Sequence, residues 1–147
     1  MSDSSLGQVL AEWIESVRVE CLPSDVVRAC ADTVIDTVGL SLAARRTDYV
    51  AALRDAWAGE GECTVLGWPD KRDAPSAAMI NGTAAHGEDF DNTFEGCPLH
   101  SGAVVVPAVL AAAEAFGLTG QRVLKGLAVG IEIMCRLGLV AQKGVHT

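Results

Sequence analysis

The sequence predicts an all-α fold, with at most one short strand near residues 62–67. Three observations carry that reading. Half of the 147 residues are apolar while aromatics reach only 5%, so the core must be built from Ala, Val, Leu and Ile, which suit closely packed helices. Apolar residues recur with the helical period of 3.6 along much of the chain. Only the run Glu62–Gly67 reads as a strand, and Trp68-Pro69-Asp70-Lys71 after it reads as a turn. The length fits one domain with a real core.

Taken in order, Leu6, Val9, Leu10, Trp13, Ile14 and Val17 mark a first amphipathic helix. A second opens near Leu22-Pro23-Ser24-Asp25, where a proline and a capping side chain suit a helix start. Its expected buried stripe is Val27, Cys30, Ala31, Val34, Ile35, Val38 and Leu42. A third, short helix spans about Asp48 to Ala58 and is closed by Gly59. From Pro75 to Gly87 almost every residue is small, which predicts a helix whose neighbours approach closely despite the cost of Gly82 inside it. Glu88–Ser101 has no period and reads as a loop. A helix follows within Gly102–Phe116, where Pro107 should kink it or mark its first turn. The last helix, roughly Gly120–Ala141, is apolar nearly all round and therefore needs cover on every side. There is no internal repeat, linker or low-complexity segment.

Net charge is −8, which argues against a nucleic-acid or anionic-membrane binder, since both require a positive surface. The five cysteines are odd in number and form no C-x-x-C pair, as expected of free thiols in a reducing compartment. Met1–Gly7 lacks the basic and apolar regions of a secretory signal. Charges and Pro107 interrupt both long apolar stretches. A soluble, cytoplasmic protein is the expectation.

The chemically informative stretch is His86-Gly87-Glu88-Asp89-Phe90-Asp91-Asn92-Thr93, followed by Leu99-His100-Ser101-Gly102. Two of three histidines and several carboxylates fall in one loop between two small-residue helices. If that loop is extended, Asp89 and Asp91 share one rim and Phe90 turns into the core. Paired ionisable groups in a cleft can divide acid and base roles, and His100 precedes a helix N-terminus that favours a carboxylate. Two plainer readings stand beside this one. Asp91-Asn92-Thr93 suits a turn and cap, and His86-x-x-Asp89-x-Asp91 offers one nitrogen and two oxygens to a metal, at a spacing common by chance. No nucleotide motif is present, and Ser101 lacks a nucleophile-elbow context.

The run Asn81–Gly96, then His100-Ser101-Gly102-Ala103-Val104-Val105-Val106-Pro107-Ala108, resembles the N-terminal signature of the MmgE/PrpD family. Gly130-x-Glu132, Arg136-Leu137-Gly138 and Gly144-Val145-His146-Thr147 fit the same pattern in order and spacing. The family includes 2-methylcitrate dehydratase, cis-aconitate decarboxylase and iminodisuccinate epimerase. The resemblance implies a large all-helical domain plus a smaller α+β lid, homodimers, and no metal or organic cofactor. Residues 1–147 then form part of the helical domain, without the lid and the remaining helices.

By this resemblance Asp89, Thr93, His100 and His146 fall on active-site positions. Asp89, His100 and His146 are the expected catalytic residues, and Thr93, together with the neighbouring Asp91 and Ser101, the expected substrate-binding ones. Two positions depart from the pattern: Asn92 replaces a second adjacent Asp, and Val145 replaces an aromatic before His146. Thr93-Phe94-Glu95-Gly96 followed by Pro98 leans towards epimerase-like members. The implied function is a segment of a cofactor-independent lyase or isomerase for small polycarboxylates, inactive alone. Its partners would be a second copy or a complementing polypeptide. Only Arg122, Lys125, Arg136 and Lys143 offer positive charge near the site, and the family's remaining lysines, histidine and tyrosine lie beyond this segment. The alternative is a non-catalytic helical dimerisation or regulatory module.

Overall fold

The computed structural model describes residues 5–140. Six helices follow one another: α1 (Leu6–Ser16), α2 (Ser24–Ala44), α3 (Asp48–Ala56), α4 (Ala74–His86), α5 (Ser101–Phe116) and α6 (Gly120–Val140). A single 3-10 turn, Val19–Cys21, joins α1 to α2. The all-α expectation holds, with one addition. A two-residue strand β1 (Cys63–Thr64) pairs antiparallel with a second, β2 (Lys71–Arg72), in the stretch that reads as a turn. Gly67, at φ 78°, reverses the chain. Asp70 holds the returning arm between Arg54 at 3.0 Å and Arg72 at 2.8 Å, and the Arg54 guanidinium lies 3.6 Å from the centre of the Trp68 ring. The first arm falls within the strand expected at 62–67, whereas a two-residue second arm has no period to detect and was invisible in the pattern.

Helix ends follow the local chemistry. Ser5 and Gln8 cap α1 reciprocally: Gln8 N–H donates to Ser5 Oγ and Ser5 N–H donates to Gln8 Oε1. Asp73 caps α4 by accepting from Ser76 N–H at 2.9 Å, with Pro75 in the first turn. Gly117 ends α5 in the left-handed conformation, φ 60°, and Leu118 N–H returns to Ala113 O at 2.9 Å.

The centre of the molecule is the packing of α4 on α5. A Cβ placed on Gly82 would stand 2.8 Å from the carbonyl oxygen of Ala103, so the two backbones meet where only glycine fits. That carbonyl lies one turn before Pro107, whose ring nitrogen has no hydrogen to give it. α5 nevertheless continues through Pro107, which is buried within the helix. On its other side α5 meets α6 through a matched pair of notches, Gly126 against Val109 and Gly130 against Val105. Buried Asn81 then ties α4 to its neighbours. Its Oδ1 accepts from Leu66 N–H at 2.8 Å, its Nδ2 donates to Thr64 O at 2.9 Å, and its carbonyl accepts from Ser41 Oγ at 3.0 Å.

Two apolar clusters result. One joins Ala44, Val50, Val65, Ala77, Ile80 and Ala111, from α2, α3, the β1 segment, α4 and α5. The other joins Cys30, Val105, Val106 and Leu127, from α2, α5 and α6. The stripe expected on α2 is corrected here. Cys30 is buried, but Ile35 and Leu42 are exposed, and the deepest side chains are Thr37 and Ser41. The reason is the polar seam with α4: Ser41 shares its proton between Thr37 O and Asn81 O. Apolar rows remain open elsewhere, with Leu6 83% and Val140 86% exposed on α1 and α6. No described helix is long and apolar enough to cross a membrane.

Three outcomes follow from this packing. Gly82→Val should lower unfolding free energy by about 1–3 kcal/mol through overpacking, measured by urea denaturation. Asn81→Ala should cost a similar amount, about 1–3 kcal/mol, because buried backbone groups lose their partners. Acid should also weaken the fold. Hydrogen bonds from Ser76 hold the Asp73 carboxyl below its ordinary value of 3.8. Burial pushes Glu114 up, but hydrogen bonds from Thr64 and the charge of Lys71 outweigh it, leaving it below its ordinary 4.5. Carboxyls depressed in this way stabilise fully above their unfolded values and lose that contribution as pH falls through their folded ones. The thermal midpoint should therefore drop below pH 4.5, and Glu114→Gln should flatten that drop.

Candidate active site at the α4–α5 junction

His86 is the last residue of α4 and His100 stands at the N-terminal boundary of α5. Because the two helices pack backbone to backbone, the imidazoles come together, with ring centroids 4.8 Å apart and planes tilted by 57°. The connecting loop folds Asp91 beneath them. Its carboxylate has 0% of its surface exposed. His86 Nδ1 lies within hydrogen-bond reach of it, at 3.0 Å from Oδ1 and 3.2 Å from Oδ2. His100 Nδ1 lies 3.2 Å from Asp91 Oδ1, close enough for an ion pair but out of line for a hydrogen bond, so this buried nitrogen has no aligned partner. On the opposite edge of the ring, His100 Nε2 is 3.7 Å from Asp89 Oδ1.

The loop is not extended, and the expected arrangement of its acids changes accordingly. Asp89 takes a left-handed conformation, φ 56°, a region that Asp tolerates better than most residues. That one residue breaks the alternation. Asp89 is 79% exposed while Asp91 is enclosed, and Phe90, expected in the core, is 78% exposed. Asn92 carries the capping role: its Oδ1 accepts from Gly102 N–H at 3.1 Å in the first turn of α5. The N-terminus of α5 thus already has an acceptor on one of its free donors. Phe94 N–H donates to Leu99 O at 3.0 Å and closes the rest of the loop on itself. The tip is held by α6, where Gly138 leaves room for the Cys97 sulfur and for Leu99.

Of the residues singled out in the sequence, the structure gathers Asp89, Asp91 and His100 into one cluster. Thr93 is exposed in the same loop, and Ser101 is buried at the start of α5. His146 lies outside the described residues. His86 was absent from the expected catalytic and binding residues, although its place at a helix end beside the acidic loop was a usable signal.

The histidines open on a cleft of about 800 Å³ between α4 and α5. Met79, Gly82, Ala103 and Val104 form apolar walls, and Thr83 adds a hydroxyl. No Lys or Arg among the described residues lines it. Arg122 and Lys125 line a different groove with Arg18, and Arg136 pairs with Glu132. One ligand atom each from His86, Asp89, Asp91 and His100 falls within 4.8 Å of the others. Nitrogen and carboxylate donors of this kind can hold a divalent cation.

Comparison with known proteins agrees with this architecture. The family model described as the MmgE/PrpD N-terminal domain matches residues 8–146. The chain is 32% identical over 141 residues to a cis-aconitate decarboxylase of Homo sapiens, covering 90% of this chain and 29% of that protein. It is 30% identical over 141 residues to the Mus musculus protein of the same name, with coverage of 90% and 29%. A cis-aconitate decarboxylase of Aspergillus terreus is 27% identical over 144 residues, covering 92% of this chain and 29% of the relative. The chain therefore spans under a third of the length of these curated relatives. With the helical fold, the loop and the match over residues 8–146 in agreement, the chain belongs to the MmgE/PrpD family.

Proposed function

We propose that this chain supplies the histidine–aspartate half of a cofactor-independent lyase or isomerase acting on small polycarboxylates. The observation that supports the reading most is the pair of imidazoles 4.8 Å apart at the mouth of the cleft. Reactions of this class move a proton on a carbon beside a carboxylate. Dehydration removes a C–H proton and protonates a leaving hydroxyl. Epimerisation takes a proton from one face and returns one to the other. Decarboxylation breaks the bond to a carboxylate, releases carbon dioxide, leaves the electron pair on carbon and adds a proton there. Each needs a positioned acid or base within hydrogen-bond reach of the reacting centre.

In this reading His100 transfers the proton, with exposed Asp89 at its Nε2 edge as a second acid/base group. Thr93 donates a hydrogen bond to a substrate carboxylate, and the segment around Ser101 and Asp91 shapes the floor. His146 joins from beyond the described residues. Among the candidate substrates, the names of the curated relatives favour cis-aconitate. In this reading the cations that would hold two or three carboxylates come from outside the described residues, since no described Lys or Arg lines the cleft.

A second reading, a non-catalytic dimerisation or regulatory module, draws on the open apolar rows of α1 and α6. Assays with cis-aconitate, 2-methylcitrate and iminodisuccinate separate the two. Turnover is expected once the chain is joined by polypeptide carrying the remainder of the family fold, and His100→Ala should then lower kcat by roughly 10²–10⁴. Robust turnover by residues 1–147 alone would overturn the division of the site. Wild-type behaviour of both Asp89→Ala and His100→Ala would favour the module.

A further inference from the structure

We infer that Asp91 is a positioning residue that sets the tautomers of two imidazoles at once, making His86 a second histidine of the site beside His100. The inference rests on the acid/base reading above and deepens it. Three features of the geometry carry it. The Asp91 carboxylate has no exposed surface and so cannot be satisfied by bulk water. Its oxygens face the same atom, Nδ1, of both rings, at 3.0 and 3.2 Å to His86 and 3.2 Å to His100. Both histidines line the one cleft.

An ionised carboxylate only accepts hydrogen bonds. An imidazole that donates Nδ1–H to it carries, when neutral, its lone pair on Nε2. Held in this way, His86 and His100 each turn an accepting Nε2 away from Asp91. For His100 that atom is also the one nearest Asp89, at 3.7 Å. Rotation of the His100 ring towards Asp91 Oδ1 would align its Nδ1–H and give a partner to this buried imidazole nitrogen. The shared carboxylate keeps two bases in fixed orientation over the same cleft, and neither ring can flip without leaving a buried charge less well paired.

The test reads tautomers directly, on the ligand-free chain, by two-bond proton–nitrogen correlation spectra of imidazoles labelled with nitrogen-15. Spectra are taken at a pH where both rings are neutral. The His86 and His100 signals are assigned with His86→Gln and His100→Gln. Both rings should show the Nδ1–H form, the reverse of the Nε2–H form that free imidazole side chains favour. Asp91→Ala, which removes the shared acceptor, should return both rings towards the Nε2–H form. If either wild-type ring proves to be Nε2–H, or if Asp91→Ala leaves both unchanged, the inference fails. Should Asp91→Ala not fold, by far-ultraviolet circular dichroism, the wild-type spectrum alone decides. Because no substrate is present, this result stands apart from the turnover assays, whose failure would remove the polycarboxylate reading and leave the tautomers as measured.

Discussion

The site depends on one steric constraint, the contact of α4 and α5 at Gly82 and Ala103. Side chains larger than hydrogen at that point would push the helices apart, since a Cβ there would lie 2.8 Å from a carbonyl oxygen. The contact sits four residues before His86 and three after His100. It therefore acts as a fulcrum for the two imidazoles, which inherit their separation from the helix axes and not from the loop between them. Asn81, next to the fulcrum, ties α4 to the β1 segment and to α2 through buried and partly buried hydrogen bonds. Scaffold and chemistry are joined within six residues of one helix.

The same economy appears across the molecule. With few aromatic side chains to fill space, close approach replaces bulk: Gly126 and Gly130 receive Val109 and Val105, and Gly138 receives Cys97. Small residues bring backbones together, and polar side chains such as Ser41 and Asn81 then satisfy the groups that approach exposes. The stretch of α2 at Thr37 and Ser41 is polar for this reason, between the apolar contacts of Cys30 and Ala44.

Much of the scaffold was legible in the sequence because helix periods, caps and breakers act locally. Pro23 announces the start of α2, and the run of small residues from Ser76 to Gly87 announces a close neighbour. What resisted reading was long-range or conformational. The face of α2 was set by a carbonyl on α4, which no period on α2 records. The orientation of Asp89, Phe90 and Asp91 was decided by a single left-handed residue, so an alternation rule placed two of the three side chains wrongly. His86 precedes Asp91 by five positions, yet its connection to that carboxylate appears only when the loop folds back under the end of α4.

That arrangement separates two tasks along the loop. Residues up to Asn92 are tied to the imidazoles and to the start of α5, whereas Glu95, Gly96 and Pro98 lie beyond those ties, in a small excursion closed by Phe94 and Leu99. Insertions or deletions in the excursion would leave the histidine pair where the helices put it. The shape of the rim can therefore change independently of the histidine–aspartate cluster beneath it, because the two are anchored by different contacts.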